Sequence, residues 1–280
     1  MFDKTTGYIA TTLFLFNPTL FYYTTTKLAE ASYIFLLCLI IYLCLSVKKN
    51  PAFWVRVFKF SVLIITLFFY YLLKPRFFLP LIASIFLYIA IVAFMRIKQR
   101  FGHIFSRCIL DPVLFGVLFM ALFFKPLNLI NRLFYTLAQS HHKFLLSGGQ
   151  VYNLLIFGDN LADYTLFQKF IYLLLSWIHF VFEPLKYGSM LYSLYYPYKL
   201  IFIALFVFAL LGMFISIKEK NFKSLLLIFY LFLMGTIIVC AGGNVGTMLR
   251  HRDTVSFVVF IFAAFYINKL SASLRGSQLN

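Results

Sequence analysis

Gly242-Gly243-Asn244-Val245-Gly246-Thr247-Met248-Leu249-Arg250-His251-Arg252-Asp253 stands between two apolar runs, residues 224–240 and 254–268, that contain no charged residue. Each run is close to the length that crosses a hydrocarbon core of ~30 Å when tilted or slightly extended. The stretch between them gathers three glycines and three side chains able to carry positive charge. It therefore reads as a site at a membrane surface, and lipid becomes the solvent in which the rest of the chain is read.

Composition agrees. Hydrophobic residues make up 63% of the chain, aromatic residues 21% and charged residues 12%, where a soluble domain carries roughly 25% charged. Nine apolar segments are long enough to be considered as spans: residues 8–23, 28–47, 58–73, 77–95, 109–124, 167–182, 200–217, 224–240 and 254–268. The expected fold class is all-α, a polytopic integral membrane helical bundle. Residues 1–280 form one transmembrane domain, with an external loop region at about 125–199. Residues 8–23 lack the small-residue cleavage pattern of a signal peptide and are followed by Lys27 and a further span.

A formal net charge of +17 would point to nucleic acid in a soluble chain. Here the lysines and arginines lie in short connections between spans, as the positive-inside rule requires, and no nucleic-acid partner is expected. The clusters are Lys48, Lys49, Arg56 and Lys59; Arg96, Lys98, Arg100 and Arg107; Lys218, Lys220 and Lys223; and Lys269 with Arg275. Nine full crossings would leave the Lys218–Lys223 cluster outside. If residues 167–182 instead lie in the interface or re-enter, all the clusters fall inside. The reading is therefore about eight crossings plus one interfacial or re-entrant apolar segment, with a cytoplasmic amino terminus.

This topology puts Glu30, Lys74, Arg76, Asp159, Asp163, Arg250, His251, Arg252 and Asp253 at the outer side. Cations there run against the bias, and each has two readings. Lys74-Pro75-Arg76 is either an ordinary turn, ended by its proline and with cations snorkelling to lipid phosphates, or a further phosphate contact. Arg250 and Arg252, with His251 between them, follow a Gly-rich turn whose backbone N–H groups could hold an anion. Guanidinium forks match phosphate bidentately.

Two stretches carry a resemblance. Asn17-Pro18-Thr19-Leu20-Phe21-Tyr22-Tyr23-Thr24-Thr25-Thr26-Lys27-Leu28-Ala29-Glu30-Ala31, followed by an apolar span, resembles the pattern of Asn-Pro, aromatic, hydroxyl and acidic residues found before a helix in GT-C membrane glycosyltransferases of the protein mannosyltransferase and aminoarabinose transferase type. Residues 243–253 similarly resemble a segment before the last span of bacterial relatives concerned with surface polysaccharide assembly. The resemblance implies many membrane helices in the bacterial inner (plasma) membrane. It also implies membrane lipid as surroundings and a polyprenyl-phosphate sugar donor used at the outer face, with transfer to a cell-surface glycan, lipid or protein acceptor. The chain departs from the family at one point: GT-C enzymes carry their principal catalytic acid in a first external loop ahead of the Asn-Pro stretch. Only Asp3 precedes Asn17 here, and the topology places it inside. The chain looks like a GT-C protein beginning at its third span. It is then a carboxy-terminal part of an enzyme, or a separate chain supplies the missing N-terminal spans, or it no longer catalyses.

Transfer from a phosphate-linked sugar needs a base for the acceptor hydroxyl and cations for the departing phosphate. Glu30 occupies the acidic position of the family-like stretch and leads the candidate acids, ahead of Asp159 and Asp163 on the long loop. The candidate phosphate or carrier ligands are Arg250, Arg252, His251, Lys74 and Arg76. No metal site is expected: Cys38, Cys44, Cys108 and Cys240 lie in or beside apolar runs without CxxC spacing, and His141-His142 point apart on a helix. No cofactor fingerprint occurs. The alternative function is a non-catalytic lipid-linked oligosaccharide transporter or an accessory membrane subunit. A transporter would carry charges deep inside several spans, whereas this chain keeps its charges at span ends, which favours the enzyme.

Overall fold

A computed structural model of the chain describes residues 2–17, 28–46, 53–105, 135–136, 139, 157, 163–182, 196–241 and 245–277. Among them the regular structure is eight helices and no strand. These are α1 (Lys4–Leu15), α2 (Leu28–Leu45), α3 (Phe53–Leu73), α4 (Pro75–Phe105), α5 (Leu166–Phe182), α6 (Tyr196–Lys218), α7 (Ser224–Ala241) and α8 (Val245–Ser277). Four stretches are long and apolar enough to cross a membrane: Phe53–Leu73, Pro75–Arg96, Lys199–Lys218 and His251–Arg275. Ser32–Leu45, Leu166–Phe182 and Ser224–Val239 are shorter apolar helices. The expected span at 109–124 lies outside the described residues.

Local chemistry sets several helix ends. Asp3 caps α1, its carboxylate accepting from the Thr6 backbone N–H at 2.8 Å, and α1 stops at Leu15. Residues 8–23 therefore do not form one continuous helix from their first residue: Asn17 precedes Pro18 and is turned away from helical geometry. Lys74, the residue before Pro75, is likewise the single non-helical residue between α3 and α4. The reversal from α6 to α7 is a Schellman motif. Lys220 adopts a positive φ of 55°, with Lys220 N–H donating to the Ile217 carbonyl at 2.9 Å and Asn221 N–H to the Ser216 carbonyl at 3.0 Å. Of the turn expected over residues 242–247, Val245, Gly246 and Thr247 belong to α8, and residues 242–244 lie outside the described residues.

The pattern of exposure is consistent with membrane insertion, as are the four long apolar helices. On α3 the exposed side chains include Phe58, Phe60, Ile64, Ile65, Phe68 and Phe69. The face of α5 turned into the protein carries Lys169, Tyr172 and Ser176, whereas Phe167, Phe170, Leu174 and Ile178 are exposed. A helix that hides its polar face and exposes its apolar one is inverted relative to a soluble protein, and hydrocarbon is the medium that makes this favourable.

The chain folds as two compact units interleaved in sequence. One comprises Met1–Ile85, His179–Gly235 and Leu249–Asn280, the other Phe86–Ile178 and Thr236–Met248. In the second unit, Trp177 Nε1 donates to Thr236 Oγ1 at 3.3 Å, tying α5 to α7. The first unit is built round α8, whose side chains from Arg252 to Phe260 are all buried. Against it α1 runs antiparallel. At one end Asn268 Nδ2 donates to Asp3 Oδ2 at 2.7 Å and the Phe2 and Phe265 rings lie 4.7 Å apart. Phe14 meets Phe260 further along, and at the other end Asn17 Nδ2 donates to Asp253 Oδ1 at 3.0 Å.

Three helices of this unit give concordant lengths between its polar ends. At 1.5 Å per residue, Asp3 to Asn17 is about 20 Å, Asp253 to Asn268 about 22 Å, and Phe202 to Lys218 about 24 Å. The Asp3 end also carries the ion pair of Lys269 with Glu219, 2.7 Å, both side chains nearly half exposed. Hydrogen bonds from Thr6 and Asn268 hold the Asp3 carboxyl below its ordinary range. The lysine cluster at 218–223 therefore sits at the same end of the unit as Asp3 and Lys269, in agreement with the sorting of charges read from the sequence. Between the ends the described interior is mainly apolar: Ser256 Oγ bonds back to the Arg252 carbonyl of its own helix at 2.9 Å, whereas Ser216 Oγ is buried without a hydrogen-bond partner.

Candidate functional site: a polar cluster at one end of the first unit

Consecutive residues on a helix turn by about 100°, so His251, Arg252 and Asp253 leave α8 in three directions. His251 meets α4 through the Phe77 ring, edge to face with centroids 5.3 Å apart. Arg252 turns to α5 and α6: its Nη1 donates to the Phe180 carbonyl at 3.3 Å and its guanidinium carbon stands 4.2 Å from the centre of the Phe202 ring. Asp253 accepts from Asn17 beyond the end of α1. One residue further on, the Thr254 carbonyl accepts from Tyr230 Oη of α7 at 3.2 Å. One turn of α8 thus joins five other helices or their ends.

Burial separates the roles of these side chains. Arg252 is 1% exposed, Asp253 3% and Asn17 1%, while His251 is half-buried. A charge taken this far from water costs several kcal/mol unless its hydrogen bonds are replaced. The Phe180 carbonyl, the Phe202 face and the Asn17 amide supply part of that replacement. Among the described residues Arg252 is therefore packed against α5 and α6. The expectation that an arginine of this stretch meets a phosphate rests on Arg250, whose backbone lies in α8 and whose side chain is outside the described atoms.

Lys74 joins the same end. Its backbone N–H continues the helical bonding of α3 by donating to the Tyr70 carbonyl at 2.9 Å. Its Nζ lies 4.8 Å from the centre of the Tyr33 ring of α2 and 6.0 Å from that of Phe77, at the distances of a cation–π contact. Arg76, two residues on, is exposed. Glu30 stands in the first turn of α2, one turn before Tyr33, with its side chain outside the described atoms. The backbone of the leading candidate acid is therefore at the end of the unit that holds Lys74, His251 and Asp253.

The two loop acids fare differently. Asp163 is exposed just before α5 and belongs to the second unit. Asp159 lies outside the described residues. Among the described residues no three His, Cys, Asp or Glu side chains are grouped as a metal site would need.

Two contributors were not singled out from the sequence. Asn17 figured only as the first residue of its stretch, and Asp253 only as one outer acid among several. Their hydrogen bond joins the two stretches that carry the GT-C resemblance, residues 17–31 and 243–253, across 236 positions. A usable signal was present: an acid set directly at the start of an apolar run must find a donor. No protein-family model, curated protein or solved structure matches the chain.

Proposed function

We propose that the chain is a GT-C-like membrane glycosyltransferase, or the carboxy-terminal part of one, in the bacterial inner membrane, with its site at the Asn17–Asp253 end of the first unit facing outward. The single observation that supports this most is the Asn17–Asp253 hydrogen bond, because it brings together two stretches that resemble one enzyme family for separate reasons. In this reading the carrier is a polyprenyl-phosphate sugar. Glu30 takes the proton of the acceptor hydroxyl as the bond from the sugar to the phosphate breaks. Arg250 and His251 stabilise the phosphate that leaves. About eight crossings, with residues 167–182 interfacial or re-entrant and the amino terminus cytoplasmic, complete the reading, and the grouping of Lys218, Glu219 and Lys269 with Asp3 supports it.

Substitutions of the two arginines separate site from scaffold. Charge-assisted bonds to phosphate are worth roughly 1.5 to 3 kcal/mol, so Arg250→Ala is expected to weaken carrier binding about tenfold or more, with partial recovery in Arg250→Lys. Arg252→Lys is expected to lower thermal stability instead, because lysine cannot keep both the Phe180 bond and the flat stacking on Phe202. Carrier binding and sugar transfer, measured at equal membrane abundance, check both; Arg250 variants that match the parent in each assay would remove the site.

A further inference from the structure

An apolar groove of about 580 Å³ opens on the surface of the first unit, lined by Ser32, Phe35 and Leu36 of α2 and by Phe69, Leu72 and Leu73 of α3. Its size falls within the range of ~300 to 1,000 Å³ typical of small-ligand sites. Phe35, Phe69 and Leu72 are 66%, 51% and 57% exposed, so the groove opens to the medium that bathes the helices, and that medium is lipid. One end carries charge. Leu73 is followed by Lys74, whose Nζ stands over the ring of Tyr33, the residue after Ser32. Arg76 is exposed two residues beyond. The groove residue Leu73 thus directly precedes two cations, Lys74, whose Nζ lies over the buried rings of Tyr33 and Phe77, and exposed Arg76. An apolar groove beside basic residues complements a molecule with a long apolar chain and an anionic head at interface depth.

The geometry points to a binding site for an anionic phospholipid of the surrounding membrane, with one acyl chain in the α2–α3 groove and its headgroup phosphate against Lys74 and Arg76. Lys74 and Arg76 are also candidate ligands of the carrier phosphate, so the α2–α3 groove is what distinguishes this site, and discs that contain no polyprenyl carrier test it apart from that reading. Bound lipid would pin α2 to α3 beside the junction at Pro75 and stabilise the first unit by mass action.

The full chain in phosphatidylcholine nanodiscs tests this, with the unfolding temperature followed as phosphatidylglycerol replaces part of the phosphatidylcholine. A saturable rise is expected for the parent and for Lys74→Arg. In Lys74→Ala the half-saturating phosphatidylglycerol fraction should increase about fivefold, the scale of one basic residue at an anionic surface. Leu36→Trp and Leu72→Trp, which fill the groove from its two walls, should produce an increase of similar size. Glycerol phosphate added to phosphatidylcholine discs should have no effect, because it lacks the chain. A parent without a saturable response, variants that all respond as the parent does, or an equal response to glycerol phosphate would each overturn the site. So would a loss in Lys74→Ala with none in either tryptophan variant, since that would place the headgroup there without the chain.

Discussion

Asp253→Ala is expected to destabilise the first unit by about 2 to 3 kcal/mol, the upper part of the range for a hydrogen bond to a charged group. It removes the carboxylate that accepts from the buried Asn17 amide. Asp253→Asn keeps an acceptor oxygen and should cost about half as much, since a neutral bond contributes about 1 kcal/mol. Thermal or denaturant unfolding in detergent measures both. In a cycle with Asn17→Ala, the coupling energy should be about 1.5 kcal/mol or more, as for residues in direct contact. A coupling near zero would mean that the end of α1 is not held on α8.

Gly212→Ala should be comparably severe despite adding a single methyl group. A Cβ at Gly212 would come within 2.2 Å of the Phe262 carbonyl oxygen and 2.9 Å of its carbon. Both are backbone atoms of α8, so no side-chain rotation relieves the overlap and α6 must move away. Overpacking of this kind costs about 1 to 3 kcal/mol and occasionally more. Ala209, Gly212 and Ser216, all fully buried on the inner face of α6, explain the close approach: membrane helices approach through small residues because lipid gives them no hydrophobic force to associate. The purified Gly212→Ala protein should unfold at a clearly lower temperature, whereas Gly7→Ala, with nothing within 4 Å of its added methyl, should be near neutral or slightly stabilising.

The helical class was legible because long apolar runs in lipid have few alternatives, and the charge clusters read correctly which ends of the first unit belong together. Which helix lies inside was not legible. The candidate spans in α3 and α8 have equal mean hydropathy, yet 11% of one and 56% of the other is buried. Hydrophobic pattern cannot distinguish lipid from protein as the neighbour of an apolar side chain. The same limit hid the role of Arg252. Beside a glycine-rich stretch it resembles an open phosphate ligand, and only the positions of Phe180 and Phe202 make it a packed residue. Gly246 misled locally, since the roughly 1 kcal/mol that glycine costs a helix is small against the packing of α8. The backbone of Glu30 lies one turn before Tyr33, at the end of the unit that holds Lys74. Asp253 was missed as a contact because its donor lies at the far end of the sequence.

The two polar ends of the first unit are expected on opposite faces of the membrane. Arg76→Cys marks the end with Asn17 and Asp253, and Glu219→Cys the end with Asp3; both positions are exposed. In intact cells a membrane-impermeant thiol reagent should label Arg76→Cys directly and Glu219→Cys only after permeabilisation. Labelling of both from the same side would contradict the account.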